Sequence, residues 1–215
     1  MDSPQVTGRG VLSVVGPHSG CGKTLFVTHL ARHLPGLGCL KVRPAHGHSG
    51  AAGAGEQEVE DRYYLEDPAA LNAVGLDTAL YLQAGAAQVE ILRHEGNALP
   101  AGLRAALDHF PAGMPVVVES SSAVRFLDTV AVVMLVLPPP REMKPSTEVI
   151  LHRVTDLLIN SPRREDSPAR HAAALRQEFP ALSPRFTWFA DLASEPPPEE
   201  LLARLRGLLA EGARS

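Results

Sequence analysis

Short apolar runs rich in β-branched residues alternate along the chain with longer segments whose apolar positions recur at helical spacing. The runs fall at residues 11–15, 39–42, 88–92, 116–119, 130–137, 156–159 and 185–189. Helical spacing is read at about residues 23–33, 78–84, 101–109, 168–178 and 198–209. This is the alternation expected when parallel strands are buried under helices on both faces, so the prediction is an α/β fold of three layers with a mostly parallel central sheet. In the last helix Leu201, Leu202, Leu205, Leu208 and Leu209 share one face, which is expected to pack on the sheet. The segment PAHGHSGAAGAG, residues 44–55, is small and flexible and reads as a mobile loop whose tip could close over a ligand. Two more irregular stretches, 138–145 and 161–167, also follow strands. Ligands of open parallel sheets bind where strands end and helices begin, so these loops are expected to converge on one edge. There is no internal repeat and no convincing linker, and residues 1–215 read as a single domain.

Composition narrows the function classes. Hydrophobic residues make up 45% of the 215 and charged residues 20%, enough for a continuous core, which excludes wholesale disorder. A formal net charge of -4 supplies no field that would collect nucleic acid or anionic lipid, and small-molecule or protein partners are favoured. Cys21 and Cys39 are too few for a disulfide framework and point to a reducing cytoplasm. The opening MDSPQVTGRG lacks the basic-then-apolar run of a signal peptide, and the apolar stretch at 130–137 is too short to span a bilayer. A cytoplasmic protein without nucleic-acid or membrane partners is expected; a homodimer remains open.

The segment VLSVVGPHSGCGKT couples a strand to a glycine-rich turn and then to a helix opening LFVTHLARHL. That is the context of a phosphate-binding loop, here Gly16, Pro17, His18, Ser19, Gly20, Cys21, Gly22, Lys23 and Thr24. Gly20 and Gly22 admit dihedrals that let successive amides face phosphate oxygens, and the helix beginning near Lys23 adds its positive end. Lys23 would bridge the terminal phosphates, and the Thr24 hydroxyl would hold Mg²⁺. The common spacing puts glycine at position 17, where this chain has Pro17. Either the loop is one residue longer than usual or it tolerates proline at its first position. Cys21 is expected to contribute its backbone N–H, although a helix N-terminus does lower a thiol's pKa.

This loop, followed by GLDTALYLQAGAAQVEIL and by VVVESSSAVRFLDTVAVVMLVLPPPREMKPS, resembles the molybdopterin-guanine dinucleotide biosynthesis protein B family, small P-loop GTP-binding adaptors. The similarity runs over residues 11–160, and only the phosphate loop is specific by itself. The resemblance implies a P-loop NTPase fold, with Gly16 through Thr24 on the triphosphate and Asp77 or Glu119 completing the magnesium site. Physical reasoning agrees for Glu119, because a carboxylate ending the buried strand VVVE is costly unless a cation or donor meets it. Its alternatives are a helix cap or a plain salt bridge; Asp77, just before Thr78 at a helix start, reads equally as an N-cap. His46 and His48 stand where that family often carries a histidine cluster, and solvated loop histidines are the plainer reading. His18 is expected to touch nucleotide through its backbone at most. Asn160 could hydrogen-bond a base edge, but the lysine and aspartate that select guanine are absent there, so ATP, GTP and even CTP stay open. The chain has three lysines, Lys23, Lys41 and Lys144, against 17 arginines. A compact ammonium suits a phosphate cradle better than a planar guanidinium, so Lys41 and Lys144 are expected on the same ligand edge, unless they are ordinary surface lysines.

Four functions follow. The first is a magnesium-dependent nucleoside triphosphatase of low turnover that serves as an adaptor to a partner enzyme in molybdenum cofactor or related biosynthesis, with Lys23, Asp77 and Glu119 as its catalytic groups. The second is an ATP-dependent ligase of the dethiobiotin synthetase and cobyrinate amidase type, in which Lys41 and Glu119 would serve a carboxylate substrate. The third is a metal-insertion chaperone using His46, His48 and Cys39. The fourth is a nucleotide-binding module that never turns over.

Overall fold

The computed structural model describes residues 10–45, 61–66, 77–137, 143–161 and 168–214. Eight strands form one sheet: β1 (Val11–Val15), β2 (Gly38–Pro44), β3 (Tyr63–Leu65), β4 (Gln88–His94), β5 (Val116–Glu119), β6 (Ala131–Val136), β7 (Asp156–Asn160) and β8 (Phe186–Ala190). Their order across the sheet is β3-β4-β2-β5-β1-β6-β7-β8. Every pairing is parallel except the one between β3 and β4. The helices are α1 (Lys23–His33), α2 (Asp77–Gln83), α3 (Leu99–Asp108), α4 (Pro145–Glu148), α5 (Pro168–Glu178) and α6 (Glu199–Gly212).

Strand alternation divides the core into two layers. Leu12, Val14, Val117, Val133 and Leu158 face Phe26 and Leu30 of α1 and Leu201, Leu202, Leu205 and Leu209 of α6. The intervening residues face the other way. Val116 and Val118 meet Leu103 and Leu107 of α3, while Met134 and Leu157 meet Leu175 of α5. The three-layer, mostly parallel architecture expected from the pattern is the one observed, and the leucine stripe of α6 packs on the sheet.

The differences have local causes. β3 is only three residues long and lies on the sheet edge with Tyr63 and Tyr64 exposed, so it carries no buried alternation to read. Helix α3 begins two residues earlier than spacing suggests because Pro100 occupies its first turn, where a missing N–H costs nothing. The last residue of the stretch read as irregular after β6, Pro145, opens the single turn α4.

On the far edge, Asp156 is fully buried in β7, and Arg204 of α6 and the Trp188 indole of β8 both donate to its carboxylate, at 3.0 and 2.9 Å. Thr155 adds a hydroxyl at 2.7 Å. Truncating one member of a buried charge pair strands the other, so Asp156→Ala is expected to lower unfolding free energy by about 3 kcal/mol. Urea denaturation followed by Trp188 fluorescence measures it; a loss below about 1 kcal/mol would show that the pair is not holding α6 to the sheet.

Candidate phosphate and metal site

Strand β1 lies between β5 and β6, so the loop leaving its carboxyl end emerges at mid-sheet. Gly20 and Gly22 have φ of 81° and 101°, left-handed values that a side chain would strain. Gly22 occupies the N-cap of α1 with no side chain closing the helix end, which leaves the first amides to the loop's hollow. The Lys23 ammonium folds back over the loop, donating to the His18 carbonyl at 3.0 Å and lying 3.6 Å from Cys21 Sγ. His18 bonds the Ser19 carbonyl through Nδ1, and Ser19 Oγ accepts from Lys144 at 3.2 Å.

The first turn of the loop is held from beyond β5 and β6. Thr147 of α4 donates to the Gly16 carbonyl at 3.0 Å, and the Gly16 amide points to Ser121 Oγ at 3.5 Å. The Pro17 carbonyl accepts the Lys144 amide at 2.9 Å. A side chain at Gly16 would meet Cys21 Sγ at 2.3 Å, so Cys21, fully buried, packs beneath the loop.

Asn160 ends β7 under the same loop. Its Nδ2 donates to the Cys21 carbonyl at 3.4 Å, and its Oδ1 accepts the Leu192 amide at 3.1 Å. At 9% exposure and with both amide ends on backbone, it braces the loop against the β8–α6 connection, in place of the open base edge expected for it.

On the other side the register of the sheet builds a charged cluster. Lys41 of β2 and Glu119 of β5 are Cα partners in parallel neighbours, so their side chains lie side by side, on the face that α1 covers. Lys41 Nζ donates to Glu119 Oε2 at 3.2 Å and to Thr24 Oγ1 at 3.2 Å. Thr24 Oγ1 in turn donates to the two Glu119 oxygens at 3.3 and 3.4 Å. The phenol of Tyr81, from α2, also donates to Glu119. Burial pushes the Tyr81 phenol far up, and the Glu119 charge pushes it further, so it stays protonated as a donor.

Thr24 and Glu119 offer neighbouring oxygens of the hard type that Mg²⁺ takes, and that ion binds through one or two carboxylates plus substrate phosphates. The residues therefore fit the metal. The described residues hold no cluster of three histidine, cysteine or acidic side chains, so they provide no closed all-protein cage. Asp77 begins α2, but its side chain is outside the described residues, as are His46 and His48. Cys39 is fully buried, and burial followed by the Glu119 charge drives its thiol pKa up, which keeps it protonated and unsuited to ligating a delivered ion.

Two adjoining cavities open here, of about 490 Å³ and 330 Å³, and all three lysines of the chain line both. The larger is bounded by Gly20, Gly22 and Thr24 with Arg43; the smaller adds Ser120, Ser122, Ser146 and His94. Desolvation lowers the His94 pKa, which favours the neutral ring. Among the described residues Glu119 is the one acidic side chain on either wall, against three ammonium groups and a guanidinium.

Tyr81, Ser121 and Thr147 were not marked by sequence. Tyr81 lies three residues after Thr78 on the buried face of α2, a position indistinguishable from core until the sheet register brings Glu119 beneath it. The mid-sheet loop, its lysine and the threonine facing a strand-end acid have the strand–loop–helix arrangement of a phosphate-binding loop in a mostly parallel α/β sheet. No family profile and no curated protein matches the chain. Among solved structures it is similar to a LAO/AO transport system kinase, at 13% identity and a TM-score of 0.48, covering 98% of this chain and 63% of that one. The chain thus spans under two thirds of that protein. No helix among the described residues is long and apolar enough to cross a membrane.

A Cβ at Gly22 would stand 2.4 Å from Asn160 Nδ2 and would also be strained by φ. Gly22→Ala is therefore expected to cost about 2 kcal/mol or more. Adding Asn160→Ala should recover only the steric part; full recovery in thermal denaturation would show that backbone strain at Gly22 is negligible.

Proposed function

We propose that the chain binds a nucleoside triphosphate with Mg²⁺ in the larger cavity and hydrolyses it slowly. The observation that carries this reading is the joint placement of Lys23 across a left-handed glycine loop and of Thr24 against Glu119. In it the amides from Gly20 onward and the Lys23 ammonium take the β- and γ-phosphate oxygens. Thr24 and Glu119 hold the metal, which neutralises charge developing on the transferred phosphoryl group. Glu119 already accepts from Thr24, Lys41 and Tyr81, which suits a holder better than a free base and agrees with low turnover. Asp77 is proposed to polarise the attacking water. Asn160 is committed to the loop, so ATP and GTP are both substrates to test. The order of the DT and AGA segments after the loop supports an adaptor role beside a partner enzyme, in molybdopterin-guanine dinucleotide formation or a related cofactor pathway.

The smaller cavity favours a second reading, transfer of the phosphoryl group to a bound acceptor as in carboxylate-activating ligases. It shares Lys23, Lys41 and Glu119 with the nucleotide cleft and is lined beyond them by serine hydroxyls. Phosphate release with no acceptor added supports the first reading; turnover only when a carboxylate is supplied supports the second.

Binding of a fluorescent ATP or GTP analogue with Mg²⁺ is expected to weaken at least about 100-fold in Lys23→Ala, the scale of losing a charge-assisted phosphate contact. Equal affinity in the two proteins would remove the proposal for both readings.

A further inference from the structure

The ammonium of Lys41 stands where metal chemistry needs a cation. It lies 3.2 Å from Thr24 Oγ1 and 3.2 Å from Glu119 Oε2, the two oxygens assigned to Mg²⁺. Its side chain is 9% exposed and that of Glu119 is 7% exposed, so the pair meets little solvent screening. Glu119 Oε2 also accepts from Tyr81. An ammonium and a divalent ion cannot use the same lone pairs at once, and like charges a few ångströms apart in such a site repel strongly. Lys23 and Lys144 add further positive charge to the same walls.

We propose that Lys41 is the protein's own stand-in for the divalent ion, holding Thr24 to Glu119 in the nucleotide-free state and barring metal that arrives without a polyphosphate. The inference rests on the reading of Thr24 and Glu119 as the metal pair. A polyphosphate brings the negative charge that lets the metal displace the ammonium. Lys41 lines both cavities, so its charge stays on the anion's side of the cleft after displacement. Metal and nucleotide therefore enter together, and metal alone binds weakly.

Mn²⁺ titrated into the nucleotide-free protein tests this, with bound ion read from loss of the free-ion electron paramagnetic resonance signal. Wild type is expected to bind Mn²⁺ weakly at this site. K41Q, which keeps a donor toward Thr24 and Glu119 but drops the charge, should bind at least tenfold tighter, and E119Q added to it should abolish the gain. Equal affinity in wild type and K41Q, or a gain that persists with E119Q, overturns the proposal. If circular dichroism shows K41Q to be unfolded, K41M is titrated in its place under the same criteria. No nucleotide is present, so a failure of triphosphate binding, read separately with Lys23→Ala, is distinguishable from a failure of this inference.

Discussion

A carboxylate and an ammonium buried side by side between two parallel strands are the constraint on which the rest of the site depends. Removing both from water is expensive, and their attraction compensates only when the remaining lone pairs and protons are also satisfied. Here the satisfaction comes from outside the pair, in the Thr24 hydroxyl at the head of α1 and the Tyr81 phenol of α2. Four elements, β2, β5, α1 and α2, are thereby tied at one point. The first turn of α1 can shift only by taking the Thr24 hydroxyl away from the buried pair, so the glycine loop before it has a fixed end.

The opposite flank of the loop is held by side chains bonded to backbone. His29 of α1 bonds the Leu192 carbonyl through Nε2 at 2.9 Å; a carbonyl only accepts, so that nitrogen carries the proton. The Leu192 amide goes to Asn160, and Asn160 goes to the Cys21 carbonyl. This chain of bonds runs from the middle of α1, through the β8–α6 connection and the end of β7, to the base of the loop. Its carbonyls are used up against protein, and in the proposed reading the loop amides and the remaining Lys23 donors are left for an anion. Preorganisation of this kind matters because a loop ordered only by its ligand would lose binding free energy to that ordering.

What could be read from the chain alone follows from how local each feature is. Strand β1, the loop and α1 are contiguous, and their apolar run, glycines and lysine state the arrangement without any partner. The acid at 119 was legible as a problem, a charge ending a buried strand, and the structure supplies the answer in Lys41. That answer is a matter of sheet order: β2 and β5 become neighbours only when the chain crosses over, and no spacing between residues 41 and 119 encodes it. Asn160 shows the converse. Its position at a strand end is right for touching the loop, but whether its amide faces a base or the backbone depends on where the β8–α6 connection comes to rest. Edge strand β3 leaves no mark in the pattern because three residues with exposed tyrosines carry no alternation.

The distribution of lysine argues further about what the cleft holds. A chain with 17 arginines places none of its three lysines away from these two cavities. Guanidinium groups serve the structural pairs elsewhere, as Arg204 does with Asp156, where a planar fork can take two carboxylate oxygens at once. Around the loop the proposed polyphosphate sets a different demand: several cations would approach one crowded anion from different sides without excluding one another, and a compact ammonium does that where a flat fork does not. With Glu119 matched by Lys41, the described walls keep the positive charge of Lys23 and Lys144 in excess. A neutral metabolite would leave that excess uncompensated; a multiply charged anion spanning both cavities would use it.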